Sequence, residues 1–427
     1  MENRKIPNRW LQLILAVIVM MSISSPQYTW TLFVKPIQSH LGLGLVGLQF
    51  TFSLLIILQT WFSPIQGYLT DRFGARVLIS VGSILTGLSW VLSSLVTNLA
   101  ALYVSYGVLG GIGTGIIYVG IIGLVVQWFP DHRGLAAGLA AAGYGFGAIF
   151  TTFPITSLIQ SIGYQQTLLI FGIIQGVIGL VAAQGLRAPG KAVSALLNSV
   201  RVVTAQSQTS QTPREMLKNP IFWVLFVMMS LLSTSGLMVT SEVGPFSHDF
   251  GVSNALVFGL SALPLSLTIS RFTNGLTRPF FGWISDRIGR ENTMLIAFLL
   301  EAAAIALLLV FRQNAVAFVL LTGVVFFGWG EIFSLFPTML TDVFGTEYAT
   351  TNYGFLYIAQ GIGSLLGGPA AAYLESITGS WIPVFTMVAC LDVVTALMAV
   401  LVLRPMCSRW FKQKRVGDSS VFEPVTQ

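Results

Sequence analysis

Charge is what this chain has least of. Asp, Glu, Lys and Arg together make up 9% of its 427 residues, whereas an ordinary water-facing surface takes about a quarter. A soluble globule is thereby excluded. The two cysteines, one of them Cys407 in a basic tail, exclude a disulfide framework. Only three histidines are present, His40, His132 and His248. They fall at loops or helix ends, without metal-ligand spacing and without companion cysteines, so no metal site is expected. The glycine-rich string 107–115 lies inside an apolar run and reads as a helix-packing surface rather than a phosphate loop. With no ATP site and no catalytic constellation, neither an enzyme nor a cofactor is expected. No cleavable leader is evident either, because the apolar stretch after the short basic segment 1–9 lacks a small-residue cleavage site and is long enough to be a first span.

Apolar surface is what the chain has in excess. Hydrophobic residues are 54% of the total and glycines number 43. Runs near or above the ~20 residues needed to cross ~30 Å of hydrocarbon recur along almost the whole length. Twelve are expected: about 10–34, 47–69, 77–97, 101–128, 134–158, 164–186, 220–246, 254–283, 292–311, 315–341, 350–374 and 382–403. The fold class is therefore an all-α membrane protein.

The chain repeats itself. Gly67-Tyr68-Leu69-Thr70-Asp71-Arg72-Phe73-Gly74 returns as Gly282-Trp283-Ile284-Ser285-Asp286-Arg287-Ile288-Gly289 at an offset of 215 residues, and Phe129 and Phe344 keep the same offset. Two related halves follow, 1–186 and 220–404, joined by a linker at 187–219 and followed by a tail at 405–427. The segment 205–212 is polar and without large apolar groups, so it reads as a weakly ordered connection. The flanking 194–203 and 214–218 read as short amphipathic helices, and the chain beyond Arg404 as a disordered tail.

The distribution of cations fixes the orientation. Of 22 lysines and arginines, 18 fall in the termini, the linker and the loops on their side, while Lys35 and Arg312 fall opposite and Arg271 and Arg278 lie within a span. This is the positive-inside bias. It predicts a multi-pass protein of the cell membrane with both termini cytoplasmic, and it assigns the net charge of +6 to topology and anionic lipid rather than to nucleic acid.

The matched Gly-x-x-x-Asp-Arg-x-Gly turns, each between the second and third helices of a six-helix half, resemble the signature of the major facilitator superfamily over nearly the whole chain. The resemblance implies twelve transmembrane helices in two pseudo-symmetric six-helix bundles, working as a monomer. In physical terms the Asp can sit at the positive end of a neighbouring helix, the Arg can pair across the turn, and the Gly allows close helix approach. Gly67, Asp71, Arg72, Gly282, Asp286 and Arg287 are thus expected to form a conformational latch. More local words, Gln27-Tyr28-Thr29-Trp30, Gly115-Ile116-Ile117-Tyr118, Ala142-Gly143-Tyr144-Gly145, Asn274-Gly275-Leu276-Thr277-Arg278-Pro279, Trp329-Gly330 and Asn352-Tyr353-Gly354, resemble the oxalate:formate antiporter family, which is similar in turn to the monocarboxylate transporters. That resemblance implies a carrier of small carboxylates whose cavity is lined by Tyr28, Tyr118, Asn274 and Trp329.

Arg278 supports the same substrate class on its own physics. It lies eight residues before Asp286, hence about 12 Å into the membrane. A guanidinium there is tolerable if it faces a wet cavity and an anion, and its planar fork matches a carboxylate; the alternative is a structural cation paired with a neighbouring helix. The resemblance implies tyrosines at the positions of Phe33 and Phe333 and a lysine at that of Gln360. With a neutral amide there, one cation remains, which suits a monocarboxylate such as lactate, pyruvate or formate better than oxalate. Arg271, nearly two turns from Arg278, either restores a second cation or pairs with a carboxylate or snorkels outward. Glu331 carries a coupled proton, or serves as a structural partner of Arg271 or a polar helix contact; packing roles are expected for Glu301 and Asp392. The reading is a gradient- or exchange-driven carrier of monocarboxylates, with an oxalate:formate antiporter as the alternative and a non-transporting carboxylate sensor as the remote one.

Overall fold

The computed structural model describes residues 8–42, 45–190, 193 and 210–419. Its helices make twelve passages. The first is built from Arg9–Ser22, Ser25–Tyr28 and Trp30–Leu41, and the second from Leu45–Trp61 and Ser63–Phe73. The third is Ala75–Ser93, and the fourth runs from Leu99–Leu102 through a π-helical stretch, Tyr103–Leu109, into Gly110–Trp128. The fifth and sixth are Arg133–Ile162 and Tyr164–Gly185. In the second half, Pro220–Asp249, Ala262–Ile288 and Arg290–Val310 are the seventh to ninth; Ala315–Trp329 with Ile332–Phe344 forms the tenth; Ala349–Thr378 is the eleventh and Trp381–Met398 the twelfth. Among the described residues, nine helices are long and apolar enough to cross a membrane unaided. The other three passages are the second, which is split at Phe62, the eighth, which carries Arg271, Arg278 and Asp286, and the eleventh.

The breaks follow local chemistry. Pro26 and Pro64 each enter at the start of a new helical segment, where a missing N–H costs nothing. The two repeated turns end alike, on Gly74 at φ +89° and Gly289 at φ +91°, a conformation that residues with a Cβ rarely adopt.

Three expectations are corrected. The eighth span does not begin near residue 254: Leu256–Val257 and Leu260–Ser261 pair as a small antiparallel hairpin, and the helix starts at Ala262. Phe258 and Gly259 both take positive φ there, as a tight hairpin turn requires. The tail is helical over Arg404–Ser419, because Met406, Cys407, Trp410 and Phe411 form one apolar face that packs on the core, and Trp410 Nε1 donates to the Val343 carbonyl at 3.3 Å. The linker's last residues are also held: Gln211 N donates to Phe344 O at 2.8 Å, and Thr212 and Glu215 close a capping box on Pro213–Lys218. The expected helix at 194–203 and the polar stretch 205–209 lie outside the described residues.

The two halves meet along two seams, the fifth passage against the eighth and the eleventh against the second. Both seams are made of glycine. A Cβ on Gly67 would lie 2.6 Å from Thr350 O, one on Gly354 would strike Ser63 O, and Gly134 and Gly282 would each strike the other's carbonyl. Backbones this close hold the halves together.

Candidate functional site

Arg278 comes close to span five because that span presents glycines to it. Any Cβ on Gly138 would collide with the Arg278 backbone, and Gly145 faces Gly275 one level further in. The guanidinium crosses this seam to donate from Nη1 to the Ala141 carbonyl at 2.5 Å and from Nη2 to Asn274 Oδ1 at 3.0 Å. Its carbon lies 4.6 Å from the centroid of Phe333, a cation–π contact. Arg278 is 1% exposed, and among the described residues its Nε has no partner and no carboxylate forms a salt bridge with it. A buried cation answered only by neutral oxygens and a ring is an incomplete site.

Aromatic rings enclose that cation from both halves. Tyr118 stacks on Tyr357 at 5.0 Å and meets Tyr144 and Phe333 edge-on at 5.3 and 6.4 Å. Tyr28 lies 5.3 Å from Tyr144, whose hydroxyl donates to Gln27 Oε1. Trp329 stands edge-on to Phe333 at 5.8 Å and ties to span seven by donating Nε1 to Leu232 O at 2.9 Å. Span seven makes room for it at Gly236, where any Cβ would overlap the indole. Gln360 closes this wall, its Oε1 accepting from Ser233 Oγ at 2.6 Å. A cavity of about 290 Å³ between the first, fifth and sixth passages, bordered by Ile18, Phe150, Thr151 and Gln175, lies to the side of this chamber and is lined by none of its rings.

The latch residues divide. Asp286 accepts from the Gly134 and Leu135 amides, both at 3.0 Å, and so caps the start of span five in the other half. Asp71 does the reciprocal thing, accepting from Thr351 N at 2.8 Å and Thr351 Oγ1 at 2.6 Å at the start of span eleven. Arg72 and Arg287 do not pair across their turns: Arg72 donates to the Tyr68 hydroxyl at 3.0 Å, and Arg287 lies over its own helix's Trp283 at 3.8 Å. A long exposed arginine gains more from an aromatic one turn back than from a carboxylate already occupied by a helix end. The pairing arginine is Arg290, which joins Asp286 at 2.5 Å and Asp342 at 2.9 Å, while Arg133 joins Asp342 at 2.7 Å. Among the described residues this buried network has no twin in the first half, where the offset of 215 puts Ala75 and Gln127 in place of Arg290 and Asp342.

A Major Facilitator Superfamily model matches residues 13–273 and 258–424. The chain belongs to that superfamily. It is a multi-pass membrane transporter and not an enzyme. Its curated relatives include the oxalate:formate antiporter of Oxalobacter formigenes, 34% identical over 93% of this chain and 92% of the relative. Another is monocarboxylate transporter 12 of Xenopus laevis, 26% identical over 76% and 73% of the two chains. Among solved structures, the proton:xylose symporter XylE covers 92% of this chain and 96% of its own at TM-score 0.70 and 14% identity. The transporter FucP in its outward conformation covers 91% and 97% at TM-score 0.66 and 15% identity. At these identities the structures speak for the fold alone.

Within the superfamily fold, the expected site residues do not all converge. Tyr28, Tyr118, Asn274, Arg278, Trp329 and Gln360 lie around the chamber just described, joined by Tyr144, Phe333, Tyr353 and Tyr357. Tyr144 and Tyr357 were within reach of the sequence, since one lies in the Ala142–Gly145 word and the other three residues before Gln360 on one helix face. Phe33 is elsewhere: it packs on Trp90 at 5.2 Å in a separate cluster of the first half. Arg271 is exposed and lies 5.8 Å over Tyr28 of the opposite half. Among the described residues it forms no ion pair with Glu331, which is fully buried at the break in the tenth passage, next to Gly330, whose backbone packs on Asn274. Glu331, Glu301 and Asp392 come together in the second half, Asp392 accepting from Ser235 Oγ at 2.5 Å.

Proposed function

We propose that the protein is a secondary carrier of small monocarboxylates in the cell membrane, working as a monomer by alternating access with both termini cytoplasmic. The observation that carries this reading is Arg278, a buried guanidinium that among the described residues has no carboxylate of its own, surrounded by aromatic rings from both halves. A substrate carboxylate supplies the missing charge, and the rings of Phe333, Tyr118 and Trp329 contact its short carbon body. Gln360 offers an amide where a dicarboxylate would need a second cation. The identities to an oxalate:formate antiporter and to monocarboxylate transporters favour the same class of anion.

Binding is coupled to movement through the seams. An anion that draws Arg278 away from the Ala141 carbonyl loosens the contact between spans five and eight, the same two elements that Asp286 clamps about 12 Å away. The test is uptake of labelled lactate, pyruvate, formate and oxalate into proteoliposomes, with and without a pH gradient and with unlabelled acid inside. Uptake of the monocarboxylates is expected; uptake of none of the four overturns the reading.

Oxalate:formate exchange is the second reading. It is favoured by Arg271, which lies over Tyr28 on the same seam and is free of any carboxylate salt bridge among the described residues. Proton symport is tested in the same assay by Glu331→Gln, which is expected to abolish stimulation by the pH gradient if Glu331 carries the proton.

A further inference from the structure

The Gln360 amide is held in one sense, and the residue that holds it lies outside the chamber. Ser233, fully buried in span seven, donates its Oγ proton to Gln360 Oε1 at 2.6 Å. Its position is not adjustable. A Cβ on Gly363 would strike the Ser233 side chain, one on Gly367 would come within 3.2 Å of Leu237, and the preceding carbonyl, Leu232 O, already accepts from Trp329. Spans seven and eleven are thus pressed together at this point, and the serine hydroxyl is fixed between them.

An amide side chain has an acceptor end and a donor end. With Oε1 turned to Ser233, the end left for the chamber is the Nε2 group, which carries two hydrogens; among the described residues no acceptor meets it, and Gln360 keeps 8% of its surface exposed. We infer that Ser233 is a positioning residue that locks Gln360 as a hydrogen-bond donor, so that the site selects monocarboxylates bearing an acceptor oxygen beside the carboxylate, the 2-oxo and 2-hydroxy acids, over unsubstituted acids. This rests on the monocarboxylate reading above. Without the serine the amide can turn over and present its oxygen instead, and the selectivity goes with it. A donor facing an apolar methylene is left unpaired, which is what gives a polar site its power to reject the wrong analogue.

The test is competition between pyruvate and propionate for uptake by the full-length protein in proteoliposomes, with Ser233→Ala, Ser233→Thr, Gln360→Leu and the double variant Ser233→Ala/Gln360→Leu. Wild type is expected to prefer pyruvate about tenfold or more. Ser233→Ala and Gln360→Leu should each bring the ratio near one, the double variant should go no further, and Ser233→Thr, which keeps the hydroxyl, should retain the preference. A merely structural serine would lower uptake of both acids alike and add to the effect of Gln360→Leu, and either result overturns the inference. So does a wild type that carries both acids without preference. A wild type that carries neither overturns the monocarboxylate reading beneath it, so the two failures are distinguishable.

Discussion

A guanidinium in hydrocarbon has few ways of being tolerated, and Arg278 uses neutral ones: a carbonyl, an amide oxygen and a phenyl face. Lysine would keep the charge but lose the fork, since its ammonium is a point donor that cannot span Ala141 O, Asn274 and a carboxylate together. Arg278→Lys is therefore expected to cut uptake more than tenfold, and Arg278→Gln to abolish it, while both variants remain in the membrane. Equilibrium binding of labelled lactate checks this, and near-wild-type affinity in Arg278→Gln would contradict the anion site. Arg278, Asn274, Tyr118 and Trp329 were legible in the sequence, through depth for the arginine and through resemblance for the rest. How the rings pack on one another was not, because a tyrosine in an apolar run carries no signal of which ring it will meet.

At the scale of elements, the closed face is held by helix ends. Two carboxylates, Asp71 and Asp286, cap the N-termini of spans eleven and five across the seams, and only the second is joined by the Arg290, Asp342 and Arg133 chain. Removing Asp342 leaves Arg133 without its carboxylate, while Arg290 keeps Asp286, at a cost of about 3–5 kcal/mol to the closed state. Asp342→Asn and Asp286→Asn are expected to shift the carrier away from this state and lower kcat severalfold with little change in KM, because the chamber is remote from them. Asp71→Asn, which breaks only a cap, should do so less. Initial-rate uptake over a range of lactate concentrations measures the split, and an altered substrate preference in any of the three would count against it. The glycine seams make a separate prediction. In Gly282→Leu an isobutyl group would occupy the space of the Gly134 carbonyl, so the closed face cannot form and net uptake should fall below a tenth of wild type. Cysteine crosslinking between spans five and eight would then be lost while crosslinking within each half persists. The repeat announced Gly67, Asp71, Gly282 and Asp286 in advance. It misassigned the arginine: Arg72 and Arg287 repeat, whereas the network is built from Arg133 and Arg290, which do not.

The whole molecule is two bundles that contribute unequally to the proposed site. The offset that superposes the halves puts Ser63-Pro64 opposite Arg278-Pro279. Both prolines repeat, but the cation stands on one side only, so the first half supplies mainly rings while the second supplies the charge. Twelve passages were readable from hydropathy because the bilayer sets their length. The hairpin at Leu256–Ser261 and the tail helix were not, since short apolar faces decide both and these drown among longer ones. Substrate charge is the central claim and rests on Gln360 standing where a dicarboxylate carrier would have a cation. The most direct measurement is competition by oxalate and by lactate for the same uptake in wild type, Gln360→Lys and Arg271→Gln. Lactate should compete far better than oxalate in wild type, Gln360→Lys should move the preference toward oxalate, and Arg271→Gln should leave it unchanged. A wild type that prefers oxalate, and loses that preference in Arg271→Gln, would mean that the second cation resides in span eight and that the monocarboxylate account is wrong.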